Sequence, residues 1–320
     1  MNAMFKLGTF GAGVALAFAA AFAAGNTVDP VHTDPAPGHG DHSGSGPAAP
    51  GPATAASGAA PGGLQVSERG YTLVPPAGPL PSGEETAFEF RITGPDGAPV
   101  TAYTASHEED LHLIVVRRDL SGYQHVHPTL GDDGTWSVPL TFEEAGDYRV
   151  FADFIPEGDQ GGPLTLGADV SASGDYRPTP LAAPDRTATV DGYTVTLDGD
   201  LRAGAPSLLT LSVSKDGEPV TDLEPYLDAY GHLVTLRQGD LAYVHVHPEG
   251  TPGDGGTEPG PGIGFHTEAP SAGTYRLYLD FQHEGEVRTA EFTVEAEGAA
   301  TADLTASDAS DAHEDDGHSH

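Results

Sequence analysis

The chain carries the same segment twice, so its core has to be built from two copies of one fold. His112–Pro128, HLIVVRRDLSGYQHVHP, returns 120 positions later as His232–Pro248, HLVTLRQGDLAYVHVHP. The similarity continues upstream into a Gly-Tyr-Thr motif and downstream into a Gly-x-Tyr-Arg motif, which gives two copies of about 110 residues. A chain of 320 residues has the length of about two domains of ordinary size, in agreement with the duplication.

Both copies consist of short apolar runs separated by turn residues. With 43 glycines and 28 prolines, neither copy supports a long amphipathic helix. Strands are predicted at Tyr71–Val74, Thr86–Thr93, Leu111–Arg117, Tyr123–His127, Thr135–Leu140, Asp147–Phe154 and Leu164–Val170, and at Tyr193–Leu197, Ser207–Ser214, His232–Arg237, Ala242–His247, Phe265–Ala269, Thr274–Gln282 and Arg288–Glu295. Seven strands per copy, with turn signals about every 8–12 residues, are typical of an immunoglobulin-like sandwich. We therefore predict an all-β protein with two tandem immunoglobulin-like β-sandwich domains and disordered N- and C-terminal tails.

The N-terminus indicates export. Lys6 is followed by an apolar, alanine-rich run that ends in small residues near Ala23, which is the pattern of a signal peptide. The run is also long enough to be an uncleaved membrane anchor, and this alternative stays open. An extracytoplasmic protein is expected in both cases, either secreted or anchored to the membrane by the N-terminal segment.

The composition around the two copies sets the remaining boundaries. The predicted segments are 1–24, a signal peptide or membrane anchor; 25–63, a disordered tether rich in His, Pro and Gly; 64–175, the first β-sandwich repeat; 176–186, a Pro-rich linker; 187–297, the second repeat; and 298–320, a disordered acidic tail that contains histidines.

Charge and cysteine content exclude several classes of function. The formal net charge of −35 makes a nucleic-acid partner untenable, because the phosphate backbone carries the same sign. The chain has no cysteine and therefore no disulfide framework, thiolate metal site or cysteine nucleophile. No sequence motif of a hydrolase or phosphate-binding enzyme was recognised, and we predict that the protein is not an enzyme.

The repeated histidines have the spacing of a metal site. Residues i and i+2 of a strand share a face, so His125 and His127 project side by side. A hairpin turn would then place His112 directly across from His127. The same argument predicts a second site from His232, His245 and His247. Three neutral imidazoles suit Cu²⁺ or Zn²⁺, so two divalent-ion sites are expected, one in each repeat.

Two acidic residues at matching positions complete the predicted sites. Asp153 and Asp280 are candidates for a fourth ligand or an outer hydrogen-bond acceptor. Arg117 and Arg237 are interpreted as structural residues that could form salt bridges with these two acids. His266 and His283 have no histidine counterpart in the first copy, and whether they join the second site is left open.

Two other interpretations of the histidines are kept. The first is a non-catalytic immunoglobulin-like interaction module of the cell surface whose histidines are structural. The second is a cupin, because Gly239 followed by five residues and His245-Val246-His247 matches the first half of a cupin metal motif. No glutamate falls three or four residues after His247, as the rest of the motif requires, which disfavours the cupin.

Two segments of the second copy resemble a known group of proteins. Pro225–Pro248, PYLDAYGHLVTLRQGDLAYVHVHP, and Gly273–Val294, GTYRLYLDFQHEGEVRTAEFTV, are similar to segments of bacterial exported heavy-metal-associated proteins. Those proteins are loosely similar to the FixH/YtkA and CopC-like domains linked with copper handling at the cell envelope. The resemblance implies an immunoglobulin-like fold and a role in metal homeostasis. We therefore expect an exported copper- or zinc-binding protein that serves in metal buffering, delivery or resistance, with a membrane metal transporter or other envelope protein as partner.

Overall fold

The computed structural model describes residues 60–298, which form two antiparallel β-sandwiches and contain no helix within that range. The predicted all-β architecture of two tandem immunoglobulin-like domains is confirmed. A helix able to span a membrane is likewise not found in the part of the chain that the structure describes. The predicted signal segment, most of the tether and nearly all of the C-terminal tail lie outside the described residues.

The first repeat contains two sheets. Its strands are β1 (Ser67–Glu68), β2 (Tyr71–Val74), β3 (Glu85–Thr93), β4 (Leu111–Arg117), β5 (Gln124–Val126), β6 (Thr129–Leu130), β7 (Thr135–Thr141), β8 (Gly146–Phe154) and β9 (Leu164–Ala172). One sheet has the order β1-β2-β3-β7-β6 and the other has the order β5-β4-β8-β9. This is the strand arrangement of an immunoglobulin-like sandwich.

The second repeat has the same arrangement. Its strands are β10 (Thr187–Val190), β11 (Tyr193–Asp198), β12 (Ser207–Lys215), β13 (Glu218–Pro219), β14 (His232–Arg237), β15 (Tyr243–Val244), β16 (Val246–Pro248), β17 (Gly262–Thr267), β18 (Gly273–His283) and β19 (Glu286–Ala296). One sheet follows β10-β11-β12-β17-β16, with β13 beside β12, and the other follows β15-β14-β18-β19. The two repeats are therefore built by one plan, as the duplication requires.

Each sandwich has its own core, which the alternation of side chains along the strands creates. In β3, Phe88, Phe90 and Ile92 point inward and are fully buried, while the residues between them are exposed. The Tyr148 hydroxyl donates a hydrogen bond to the Glu144 carbonyl four residues upstream, at 2.7 Å. The second repeat repeats this tyrosine corner, a feature of immunoglobulin-like domains, at Tyr275.

A third apolar cluster joins the two sandwiches. Strand β4 is buried along its whole length because Leu113 and its alternate neighbours face the first core while Ile114 faces outward. The outward side packs against Val234, Leu236 and Tyr278 of the second repeat. The sheets β5-β4-β8-β9 and β15-β14-β18-β19 thus meet through the faces that an isolated sandwich would expose to water. We call this contact the inter-repeat interface.

Hydrogen bonds and an aromatic pair reinforce this interface. The Tyr278 hydroxyl donates to the Leu120 carbonyl at 2.7 Å, and the ring of Tyr123 stacks on that of Tyr278 with a centroid separation of 4.1 Å. The linker is held as well, because Arg117 donates to the Arg177 carbonyl and the Thr179 amide donates to Asp119. The repeats therefore form one packed body in place of two separately exposed domains.

The predicted salt bridges of the two arginines are not formed. Arg117 pairs with Asp119 and Glu144, and Arg237 pairs with Asp240. Both arginines thus hold the ends of their own hairpins, because the turn aspartate lies closer along the chain than Asp153 or Asp280.

Candidate metal centre

The first hairpin has the register that the sequence predicts. Strand β5 pairs with β4 through Leu113 opposite Val126 and Ile114 opposite His125, and this register sets His112 across from His127. The Nδ1 atom of His112 lies 3.1 Å from Nε2 of His125 and 3.2 Å from Nε2 of His127. Within residues 60–298, these three residues are the group whose ligand atoms all lie within 4.8 Å of one another. We call them the histidine triad.

Hydrogen bonds to the far side of two rings determine where their protons lie. His112 donates from Nε2 to the Ser106 carbonyl at 2.9 Å, which leaves a lone pair on Nδ1. His125 donates from Nδ1 to the Asp280 carboxylate at 2.9 Å, which leaves a lone pair on Nε2. Two lone pairs therefore face each other across 3.1 Å, an arrangement that a shared cation relieves.

The triad passes a geometric test for a metal ion. A tetrahedral ion with bonds of about 2.0–2.1 Å to imidazole nitrogen requires neighbouring nitrogens to lie about 3.3 Å apart. The separations of 3.1 and 3.2 Å between the ring nitrogens are close to that value. Three histidines leave one coordination position open, as in metal sites that bind water or an exchangeable ligand.

Burial keeps two histidines of the triad, His112 and His127, in the neutral form. His112 is buried, and burial, aided by the neighbouring His125, lowers its pKa to about 3. The pKa of His127 is lowered to about 4, mainly by burial and secondly by His125. Both rings are therefore neutral at pH 7, and a neutral imidazole is the species that coordinates a metal ion.

Asp280 belongs to the first site although it lies in the second repeat. Its carboxylate accepts hydrogen bonds from His125, from the Tyr123 hydroxyl at 3.1 Å and from the Thr289 hydroxyl at 2.6 Å. The carboxylate is almost completely shielded from solvent. The sequence indicated Asp280 as a partner of the second set of histidines, but the inter-repeat interface brings it to the first.

Asp153 occupies the corresponding place in the first repeat. It lies opposite His112 on the neighbouring strand and accepts a hydrogen bond from Thr165 at 2.9 Å. Burial raises the pKa of its carboxyl group. It is not one of the residues whose ligand atoms converge in the triad.

The second set of histidines does not form a triad in the described structure. The predicted continuous strand Ala242–His247 is wrong. Tyr243 and Val244 pair with β14, but from Val246 the chain pairs with β17 of the other sheet. Val246 then pairs with Thr267 of β17, and His247 pairs with His266. This change of partner removes the register that would have set His247 across from His232.

His232 is held in the same way as His112, by hydrogen bonds from Nε2 to backbone carbonyl groups. Its Nε2 atom lies 2.9 Å from the Tyr226 carbonyl and 3.0 Å from the Leu227 carbonyl, so the ring donates to backbone. Burial lowers its pKa to about 4. His245 and His247 are exposed, and their ring centroids lie 4.5 Å apart.

A cavity of about 230 Å³ connects the histidines of both repeats. Its lining includes His112 and His125 of the triad together with His107, which the sequence analysis did not select. Across the cavity lie His232, His245 and His247 of the second repeat, with Asp153 also in the wall. Both predicted sites therefore contribute residues to one histidine-lined cavity, and the triad reaches that cavity through His112 and His125.

The two unmatched histidines of the second repeat lie in different settings. The His283 ring accepts from the buried Tyr193 hydroxyl at 2.7 Å and donates to Asp222 at 3.1 Å, which marks it as structural. His266 is exposed and pairs with Glu249 at 2.9 Å. Neither residue is among those lining the cavity.

Fold and site together define a tandem immunoglobulin-like β-sandwich protein with a histidine cluster between its repeats. The chain belongs to the family described as Domain of unknown function (DUF8832), whose profile matches residues 65–174 and 188–298. Comparison with curated protein sequences gives no significant match. The match to a copper-handling family that the resemblance implied is not found among these comparisons.

Two solved structures of bacterial proteins show a distant likeness. The Escherichia coli adhesin FdeC is 17% identical, over 72% of this chain and 65% of that one, with a TM-score of 0.25. InvD of Yersinia pseudotuberculosis is 12% identical, over 75% of this chain and 61% of that one, with a TM-score of 0.24. The chain thus spans less than two thirds of the length of either structure.

Proposed function

We propose that this protein binds a divalent transition-metal ion, Cu²⁺ or Zn²⁺, in the histidine triad. The observation that supports this is the convergence of lone pairs on His112 Nδ1 and His125 Nε2 at 3.1 Å, enforced by hydrogen bonds to the far side of each ring. Nitrogen ligands without thiolate or thioether sulfur suit these borderline ions. The site accepts one ion per chain, where the sequence alone suggested two.

The physiological role that fits this chemistry is metal buffering, delivery or resistance outside the cytoplasm. A neutral site of three imidazoles with an open fourth position can release its ion to a competing ligand. A membrane metal transporter or another envelope protein is the partner that such a role requires. The acidic chain, with its formal charge of −35, also attracts cations from solution.

The test compares the two His-Val-His motifs of the full-length protein. The double substitution His125→Ala with His127→Ala should lower the affinity for Cu²⁺ or Zn²⁺ by more than about a hundredfold. Removing a residue that only hydrogen-bonds to a metal ligand already lowers metal affinity by about 10–100-fold, and this variant removes two ligands. The matched control, His245→Ala with His247→Ala, should keep the tight site. Affinity is measured by competition with a chelator. Equal affinities in the wild type and the first double variant would refute the proposal.

A second candidate function is a non-catalytic interaction module of the cell surface. The favouring observation is that both ring nitrogens of His283 are satisfied by protein groups, Tyr193 and Asp222, as in a structural histidine. In that case the triad would also be structural, and the ion would leave the thermal unfolding midpoint unchanged. A metal-binding protein must instead unfold at higher temperature with the ion, because binding stabilises the folded state.

A further inference from the structure

The two copies of the His-Val-His motif differ in their access to solvent. In the first copy, His125 is almost fully buried and its ring is fixed by Asp280. In the second copy, His245 and His247 are both exposed, and their ring centroids lie 4.5 Å apart. We call His245 and His247 the exposed pair. Two adjacent imidazoles on the surface form a chelating pair that an ion in solution can reach directly.

The exposed pair and the histidine triad share one space. Both line the cavity of about 230 Å³, the pair at positions open to solvent and the triad through the buried His112 and His125. An ion that passes from solvent into the cavity at this wall therefore meets the pair before it meets the triad.

Other histidines line the same cavity between the two repeats. The His107 ring centroid lies 5.3 Å from that of His232 and 6.2 Å from that of His112. His232 is in turn 6.3 Å from His125. Among these four histidines an ion can exchange one imidazole for another without a long step through an apolar region, which would carry a heavy desolvation cost.

From this arrangement we propose that the exposed pair is a loading site, which captures a Cu²⁺ or Zn²⁺ ion and passes it through the cavity to the histidine triad. The inference rests on the proposed function of the triad. Two imidazoles hold the ion more weakly than three, so transfer runs toward the triad. No bond other than metal–nitrogen and metal–water bonds forms or breaks, and the charge of the ion is unchanged.

A loading role gives a functional reason for the difference between the two repeats. In the second repeat the chain changes sheets at Val246, which frees the exposed pair from the hairpin that would have held it across from His232. One copy of the motif therefore holds a preformed site, while the other presents its imidazoles to solvent.

The test measures rates and affinity separately in the full-length protein. A substoichiometric amount of Cu²⁺, supplied as a chelator complex, is mixed with the protein, and transfer is followed by stopped-flow absorbance. In the double variant His245→Ala with His247→Ala, loading of the triad and removal of the ion by chelator should both be about tenfold slower. Both processes lose the two imidazoles that hold the ion close to the cavity at a high effective concentration. The equilibrium affinity of the triad should remain within about twofold of the wild type, since none of its ligands is changed.

A matched control removes a different pair with the same spacing. His318 and His320 lie in the C-terminal segment, outside the described residues, and His318→Ala with His320→Ala deletes the same number of imidazoles. This control should load at the wild-type rate. Equal slowing in both double variants, or unchanged rates in the first, would overturn the loading role. If the wild type retains no ion that depends on His125 and His127, the proposed function fails together with this inference.

Discussion

At the scale of single residues, the candidate site depends on one hydrogen bond that crosses between the repeats. Asp280 accepts from His125 Nδ1 and so presents the Nε2 lone pair to His112. The carboxylate contacts His125 at Nδ1, the ring nitrogen on the far side from Nε2, which is the nitrogen proposed to bind the ion. It is therefore a positioning residue, whose effect on an ion passes through the orientation and basicity of the ring.

Removing the charge of this positioning residue should weaken metal binding. We expect Asp280→Asn to lower the affinity of the triad for Cu²⁺ by about 10–100-fold, because the ring loses its carboxylate partner. Asp153→Asn is the matched control, since Asp153 is the equivalent aspartate of the first repeat and its carboxylate accepts a hydrogen bond from Thr165, which is not a residue of the triad. Chelator competition gives the affinity, and the electron paramagnetic resonance spectrum of bound Cu²⁺ should change in Asp280→Asn alone. Equal losses in both variants would contradict the assigned role.

At the scale of elements, strands β4 and β14 decide how the repeats associate. Each strand carries apolar residues on both faces, and the outer faces meet in a cluster that includes Ile114, Val116 and Val234. A strand buried on both faces reads as a continuous apolar run, and the IVV of β4 is such a run. The apolar run is visible in the sequence, but a run of this length is equally compatible with an ordinary core strand. The surface against which the outer face of β4 packs was therefore not predictable.

The interface should contribute measurably to stability. Ile114 is fully buried between the repeats, and we expect Ile114→Ala to lower the free energy of unfolding by about 2–5 kcal/mol through lost burial and an unfilled cavity. Leu208→Ala is the comparison, because Leu208 is 48% exposed and its truncation should cost about 0.5 kcal/mol or less. Urea unfolding curves give both values. Similar costs for the two variants would mean that the repeats do not pack this way in solution.

At the scale of the whole molecule, the interface concentrates neutral histidines in a buried space. The pKa values of His112, His127 and His232 are lowered to about 3, 4 and 4 respectively, with burial as the largest cause. An unfolded histidine has a pKa of about 6.5. The unfolded chain therefore binds protons at a higher pH than the folded protein, and acid favours unfolding.

Because these pKa values are lower in the folded protein than in the unfolded chain, the metal-free protein should become less stable as the pH is lowered. Below about pH 6.5, each of these histidines should reduce the free energy of unfolding by up to about 1.4 kcal/mol per pH unit. Urea midpoints measured between pH 7 and pH 5 test this, in a range above most carboxyl titrations. His232→Asn should make the dependence shallower, because one of the titrating groups is removed. A midpoint that is constant or rises toward pH 5 would contradict the buried, neutral state of these rings.

The sequence by itself determined the fold class, most strand positions and the register of the first histidine hairpin. These features depend on the two-residue period of strands and on turns a few residues long, which are local properties of the chain. The same reasoning failed at His245, because Val244 and Val246 each satisfy a strand pattern but pair with different sheets. Only the tertiary structure decided which sheet each residue joined.

The tertiary structure also decided that the two sets of histidines share one cavity and that Asp280 supports the first set. His125 and Asp280 are 155 residues apart, and their contact exists because the outer faces of two sheets fit each other. Such a fit depends on the combined shape of side chains from both repeats and leaves no periodic signal in either repeat alone. The duplication thus predicted the ligands of the candidate site, whereas packing between the copies decided their number, their support and their access to solvent.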